Sequence, residues 1–369
     1  MTEFRKRLLD LIIAECNTRF EVNSDPWFVN SKYHIRKSKP EPNLKDRLAL
    51  SKIGKYYTSK NVLAKILTRI WETPEEISHY EFLYDLLENQ QSKDVLVEIT
   101  ALKLLGQQHI RLSIENETYL NWHRQVEDCL IEKHSKEIPN FNEWKLNLYD
   151  LSKIGYPTKI HYIQMGIVTT FGMEQYAYPK ENIIVEDNDV ILDCGACWGD
   201  TALYFCAKAK NVRVFSFEFI PSNLELLNEN LALNQGCDVT LVAHPVWKDS
   251  ESLFYIKDFG PASAVSFEPD NNDDQPVKSK SIDDLVDEKK LDQVNFIKMD
   301  IEGAEPFALE GAINTLKRYK PKLAIAIYHC PEDFSRIALF LKNLNLGYKF
   351  YLSHFTPHGA ETILFAKAD

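Results

Sequence analysis

The segment Met299-Asp300-Ile301-Glu302-Gly303-Ala304-Glu305 sets three acids and a glycine directly after the apolar run that begins at Val294. Carboxylates this close repel one another, so such clusters bind a cation, hold a polar ligand or tune an acid against a base. Asp300 is best placed to contact a ligand or acceptor, with Glu302 and Glu305 orienting it; Glu305, beside Pro306, equally suits the first turn of a helix. A second apolar run, Leu323 to Tyr328, delivers His329. Histidine near its ordinary pKa can take the proton of a hydroxyl whose oxygen is attacking. Asp300, Glu302 and His329 are therefore the catalytic candidates. His354 and Glu361, on either side of the last turn, come second. No residue is assigned as a metal ligand, and a metal requirement is left open.

A third apolar run, Val190 to Leu192, stops at Asp193 and turns through Cys194-Gly195-Ala196-Cys197-Trp198-Gly199 into Asp200-Thr201. Gly195 and Gly199 permit positive φ and close approach of the backbone to a ligand. The free N–H groups of a helix starting at Thr201 face the same crevice. A dinucleotide turn is spaced G-x-G-x-x-G and seats a pyrophosphate, whereas here two glycines four apart stand between acids. Asp193 and Asp200 would repel a pyrophosphate. They suit a cofactor without phosphate that carries an ammonium and a sulfonium, which describes S-adenosylmethionine. An ordinary strand-to-helix turn is the plainer alternative. A fourth run, Val212 to Phe217, ends at Glu218, where an acid can bond ribose hydroxyls, and Phe219 could lie against adenine. Asn223 opens the next helix and serves either as a ligand contact or as a cap.

These runs need a scaffold that brings their ends together. Strands are predicted at 189–194, 212–217, 238–243, 294–299 and 321–328, with helices at 200–209, 221–234 and 306–318 between most of them. Such alternation makes βαβ units and a mostly parallel sheet, on which ligands bind beyond the carboxyl ends of the strands. A helix at 332–344 and strands at 346–353 and 361–367 close the sheet as a hairpin, with one antiparallel strand at its edge. The first 150 residues read as helical, at Phe4 to Arg19, Ser59 to Trp71, Pro74 to Asn89, Ser92 to Leu105 and Glu115 to His134. Thr73-Pro74-Glu75-Glu76 has the form of an N-cap, and Asn23 to Asn43 that of a connector.

Composition narrows the class. The chain has 369 residues, 44% hydrophobic and 26% charged, which fits an ordinary globular protein of two units. A net charge of −11 argues against nucleic acid or an anionic membrane as partner. No apolar run approaches the roughly 18 residues of a membrane span, no secretory cleavage site follows the charged N-terminus, and the chain reads as cytoplasmic. The seven cysteines imply no disulfide framework, and Cys194-x-x-Cys197 lacks the second Cys/His pair of a zinc site.

Taken together, Asp193-Cys-Gly-Ala-Cys-Trp-Gly-Asp, Phe217-Glu218 with Pro221 and Asn223, Ser281-Ile-Asp-Asp-Leu, Met299-Asp-Ile-Glu-Gly-Ala-Glu, Tyr328-His329 and Glu361-Thr-Ile-Leu resemble the FkbM-type methyltransferases. The match covers about residues 160–367. The resemblance implies an α/β fold with the seven-stranded Rossmann-like sheet of class I methyltransferases, mostly parallel with one antiparallel strand in the edge region, after a mainly helical N-terminal region. It implies S-adenosylmethionine contacted by Asp193, Gly195, Glu218 and Asp300; Ala196, Gly199, Asp200, Phe219 and Asn223 on the same rim are read as further cofactor contacts, and domains are expected at 1–157 and 158–369. By the same analogy His244 and Val246 lie near adenine. The implied reaction is O-methylation of a sugar, glycan or related small hydroxyl compound by in-line transfer, with a nearby base deprotonating the acceptor. In the family a proline often follows the acid of the second strand directly; here the order is Glu218-Phe219-Ile220-Pro221. Residues 1–157 shape the acceptor site, form a homodimer or dock a partner. A nicotinamide-dependent oxidoreductase and a non-catalytic binding module are the competing readings.

Overall fold

The computed structural model describes residues 2–15, 74–106, 109–114, 117–138, 141–257, 264–269 and 275–369. The helix expected at Ser59 to Trp71, the connector Asn23 to Asn43 and the Thr73 cap lie outside them. Helices α1 (Glu3–Glu15), α2 (Pro74–Leu86), α3 (Gln90–Leu105) and α4 (Glu117–Asp128) come first. Strands β1 (Leu130–Ile138), β2 (Phe141–Asp150) and β3 (Lys159–Tyr162) then form an antiparallel sheet. The helix expected to run to His134 thus ends at Asp128, and a hairpin follows. A helical turn, Gln164–Ile167, continues as one π-turn, Val168–Gly172, and leads to the main sheet.

The main domain runs β4 (Val190–Cys194), α5 (Asp200–Lys208), β5 (Arg213–Phe217), α6 (Pro221–Ala232), β6 (Asp238–Val242). After a small sheet of β7 (Leu253–Lys257), β8 (Ala264–Ser266) and β9 (Val277–Lys278) come α7 (Ile282–Glu288), β10 (Phe296–Met299), α8 (Glu305–Glu310), α9 (Ile313–Tyr319), β11 (Lys322–Ala326), α10 (Asp333–Asn343), β12 (Tyr348–His354) and β13 (Thr362–Ala368). The seven-stranded order is β12-β13-β11-β10-β4-β5-β6. β6, β5, β4, β10 and β11 are parallel neighbours, while β13 runs antiparallel to both β11 and β12. The antiparallel strand therefore sits one place inside the edge, not on it. The single helix expected over 306–318 is split at Gly311, where a Cβ would stand 2.3 Å from the Trp247 carbonyl oxygen.

Both faces of the central strands are buried, which is why they read as unbroken apolar runs. Because side chains alternate, Leu192, Ile297 and Ile325 face one core with Phe4, Leu8, Tyr80 and Leu96 of the N-terminal helices. Ile191, Phe296 and Ala324 face the other, with Trp198 and Phe205. Helix α3 also covers the edge strand: the Leu352 amide donates to Ser92 Oγ at 2.8 Å, and the Glu88 amide to the Phe350 carbonyl at 3.0 Å. That cover closes an edge otherwise open to pairing with another chain. Tyr80 and Tyr84 of α2 are buried here as core residues. No helix among the described residues is long and apolar enough to cross a membrane.

Candidate active site

The parallel strands deliver their ends to one rim, and the first to matter is β4. Asp193 is fully buried, 3.3 Å from Lys298 Nζ, and accepts from Thr201 Oγ1 at 2.8 Å and Ser216 Oγ at 3.3 Å. It faces inward. Lys298, on the neighbouring β10 and also buried, donates to the Gly195 carbonyl at 2.5 Å. This ion pair anchors the turn from beneath. Gly195 and Gly199 both adopt φ of +85°, and a Cβ on Gly195 would come within 1.9 Å of the Asp300 carbonyl oxygen. Close packing of the turn on the end of β10 thus requires glycine there. Gly195→Ala is expected to lose more than about 1 kcal/mol of stability; denaturant unfolding measures it, and parental stability would show that the turn can move aside.

The amides of Gly195 and Ala196 both donate to the Phe217 carbonyl, at 3.1 and 2.9 Å. Donors already engaged are not open to a pyrophosphate, which counts against the nicotinamide reading.

A cleft of about 230 Å³ opens above the turn. Of the residues expected from the sequence, Gly195, Asp200, Asp300, Glu302 and the second-rank candidate Glu361 line it. Asp200 starts α5 and accepts from Thr170 Oγ1 at 2.7 Å; burial raises its pKa. Asp300 accepts from Tyr176 OH at 2.9 Å and from Tyr328 OH at 3.3 Å. Glu302 is held at φ +56°, and burial above all, with Asp300 adding to it against the opposing pull of His329, raises its pKa to about 7. Glu361 faces the same cleft at φ +67° and accepts from Gln175 Nε2 and, at 3.5 Å, from Tyr328 OH. Burial and the charge of Asp300 push its pKa well above the carboxylate range. Left-handed backbone at a non-glycine residue costs about 1–3 kcal/mol and concentrates at functional sites. Two of the four cleft carboxylates carry it.

The other expected residues stand elsewhere. The Glu218 carboxylate folds onto its own loop, accepting from the amides of Phe219 (2.7 Å) and Ile220 (2.8 Å) and from Asn223 Nδ2 (3.4 Å). Burial outweighs those bonds and raises its pKa to about 7. Asn223 is a lock rather than a cap, since its Oδ1 accepts from Trp198 Nε1 at 2.8 Å. His244 bonds the Lys278 carbonyl at 2.8 Å, and Val246 is buried in a bridge to Lys280. Ala196, Gly199 and Phe219 lie outside the cleft lining as well.

His329 is enclosed by acids. Its Nδ1 is 3.2 Å from Glu305 Oε1, and its Nε2 is 3.4 Å from Asp300 Oδ1 and 3.5 Å from Glu302 Oε2. Burial works to lower its pKa, but Glu305, Asp300 and Glu302 outweigh it and raise the value to about 10. Those carboxylates favour the imidazolium over the neutral ring that a general base requires. The sequence placed the acids and the histidine at one rim without revealing that they enclose it. Gln175, Tyr176 and Lys298 escaped attention too; a lysine inside an apolar strand was the available signal for the last.

With this geometry in place, comparison with known proteins is informative. Residues 193–350 match the methyltransferase FkbM domain model. Over that segment the chain is similar to the FkbM-type methyltransferases. Its fold is similar to that of the FkbM methyltransferase from Methylobacillus flagellatus KT, at 19% identity and a TM-score of 0.50, over 80% of this chain and 60% of that one. This chain thus spans about 60% of that relative's length. It is also similar to the precorrin-6y C5,15-methyltransferase of Geobacter metallireducens GS-15, at 16% identity, 51% and 85% coverage and a TM-score of 0.34. No curated protein matches it in sequence.

Proposed function

We propose that this chain is an S-adenosylmethionine-dependent methyltransferase acting on a hydroxyl of a sugar, glycan or related small molecule. The observation that carries the reading is the charge of the cleft. Asp200, Asp300, Glu302 and Glu361 line it, and Lys298, the one lysine or arginine lining it among the described residues, is engaged by Asp193. A walled cleft of one sign concentrates ligands of the other. S-adenosylmethionine fits this field through its ammonium and sulfonium, and when bound it supplies the methyl group. The cleft is smaller than the roughly 300–1,000 Å³ of a whole ligand site, so it suits the methionine end and the acceptor, with the adenosine end outside it.

Asp200 and Asp300 hold the cationic end, and Tyr176 and Tyr328 fix the Asp300 carboxylate. Glu302 orients the acceptor. Glu361 takes the acceptor's proton: it lines the cleft, its burial makes it a stronger base than an exposed carboxylate, and Gln175 and Tyr328 aim it. Holding donor and acceptor in line supplies much of the remaining acceleration. We assign residues 1–157 to shaping the acceptor site, dimerisation or docking of a partner.

Calorimetric titration of the full chain with S-adenosylhomocysteine tests the reading. Micromolar binding is expected, weakened at least tenfold, about 1.4 kcal/mol, by Asp200→Asn. No binding by the intact chain overturns it.

A further inference from the structure

Asp300, Glu305 and His329 come from three different elements: the end of β10, the start of α8 and the loop after β11. The connecting loop turns through Glu302 and Gly303 at φ +56° and +93°, which brings α8 back beneath the histidine. One ligand atom from each of the three residues lies within 4.8 Å of the other two.

The contacts of His329 Nε2 inside this group are poor hydrogen bonds. The 3.4 and 3.5 Å separations from His329 Nε2 exceed the usual 2.7–3.2 Å of an N–H···O bond. Among the described residues, neither ring nitrogen of His329 has a partner of hydrogen-bonding geometry. Glu305 faces Nδ1 and Asp300 faces Nε2, so an ion among the three would bind the ring through one nitrogen and draw in the carboxylate on the other side.

A second observation is independent of that spacing. Glu305 is completely buried; its Oε1 accepts from the Ile301 amide at 2.9 Å, but its Oε2 has no hydrogen-bond partner among the described residues. Asp333, 3% exposed at the start of α10, has an equally bare Oδ2. Carboxylate oxygens buried without partners cost free energy that a bound cation recovers.

We propose that Asp300, Glu305 and His329 bind one divalent metal ion at the shoulder of the cleft. One imidazole among carboxylates selects a borderline ion such as Mn²⁺ or Zn²⁺, since all-oxygen sets suit Mg²⁺ and Ca²⁺. The ion replaces the imidazolium proton, so loading releases protons. The inference shares Asp300 with the methyl-transfer reading, its Oδ1 facing His329 and its Oδ2 accepting from Tyr176, and it concerns occupancy of the cluster rather than the reaction beside it.

The test uses the full, tag-free chain after EDTA treatment and dialysis. Mn²⁺ is titrated in, with free Mn²⁺ followed by electron paramagnetic resonance and the melting temperature by circular dichroism. The expected result is one Mn²⁺ per chain with a raised melting temperature, and at least tenfold weaker binding in Glu305→Gln. As that variant alters a fully buried residue, His329→Gln is measured alongside it, with melting curves establishing that each is folded. Absence of saturable Mn²⁺ and Zn²⁺ binding by the folded parent, or undiminished binding by a folded variant, overturns the proposal. S-adenosylhomocysteine titrated into the metal-free chain reports separately on the cofactor site.

Discussion

A Lys298→Met variant is expected to lose about 3–5 kcal/mol of stability, the usual cost of removing one partner from a buried ion pair. Lys298 is 2% exposed and Asp193 not at all, so water cannot replace the lost ammonium. Asp193 would keep only the hydroxyls of Thr201 and Ser216. The Gly195 carbonyl would lose its donor in the same step, and the face of Tyr176, 5.1 Å from Nζ, its cation. The loss therefore falls on the turn that forms the cleft floor. Adding Asp193→Asn to the variant removes the uncompensated charge and should recover part of the stability, since the two residues act as a pair. Urea unfolding of both variants gives the comparison. A single variant within 1 kcal/mol of the parent would mean that the pair does not hold the turn.

This dependence explains why the sequence reveals the strands better than it reveals the work of their residues. The apolar runs ending at Asp193, Glu218 and Asp300 mark β4, β5 and β10, because buried parallel strands have no polar face to interrupt them. Which way each terminal acid turns is decided by neighbours remote in sequence. Asp193 turns down to Lys298, 105 positions later, while Glu218 closes on the amides two residues ahead. Strand order is likewise tertiary. β13 inserts between β11 and β12, and nothing local in Thr362–Ala368 distinguishes an inner from an outer strand. The β1–β2 hairpin was hidden for another reason: Leu130-Ile131-Glu132-Lys133-His134 continues the helical spacing of α4, and tertiary pairing with Phe141–Asp150 overrides it. Glu361 and Gln175 lie 186 positions apart, and only their meeting in the cleft gives either a role.

For that pair the expected result is kinetic. Glu361→Gln should lower turnover by about 10²–10⁴-fold, the usual contribution of a positioned general base, while leaving S-adenosylhomocysteine affinity nearly unchanged. The amide keeps the shape and the Tyr328 contact but accepts no proton. The sign of the pH effect follows from the same group. A base acts only when ionised, and burial together with the charge of Asp300 raises the pKa of Glu361. Activity of the parent chain should therefore climb as pH rises through neutrality, and the variant should lack that limb. The measurement uses radiolabelled S-adenosylmethionine and whichever sugar or glycan the parent methylates from a panel, with kcat and KM taken separately across pH. A structural role alone would alter stability or KM and leave the pH limb in place. A variant as fast as the parent, with the same pH profile, would remove Glu361 from the chemistry and leave the proton to Glu302, the other cleft carboxylate held in left-handed backbone.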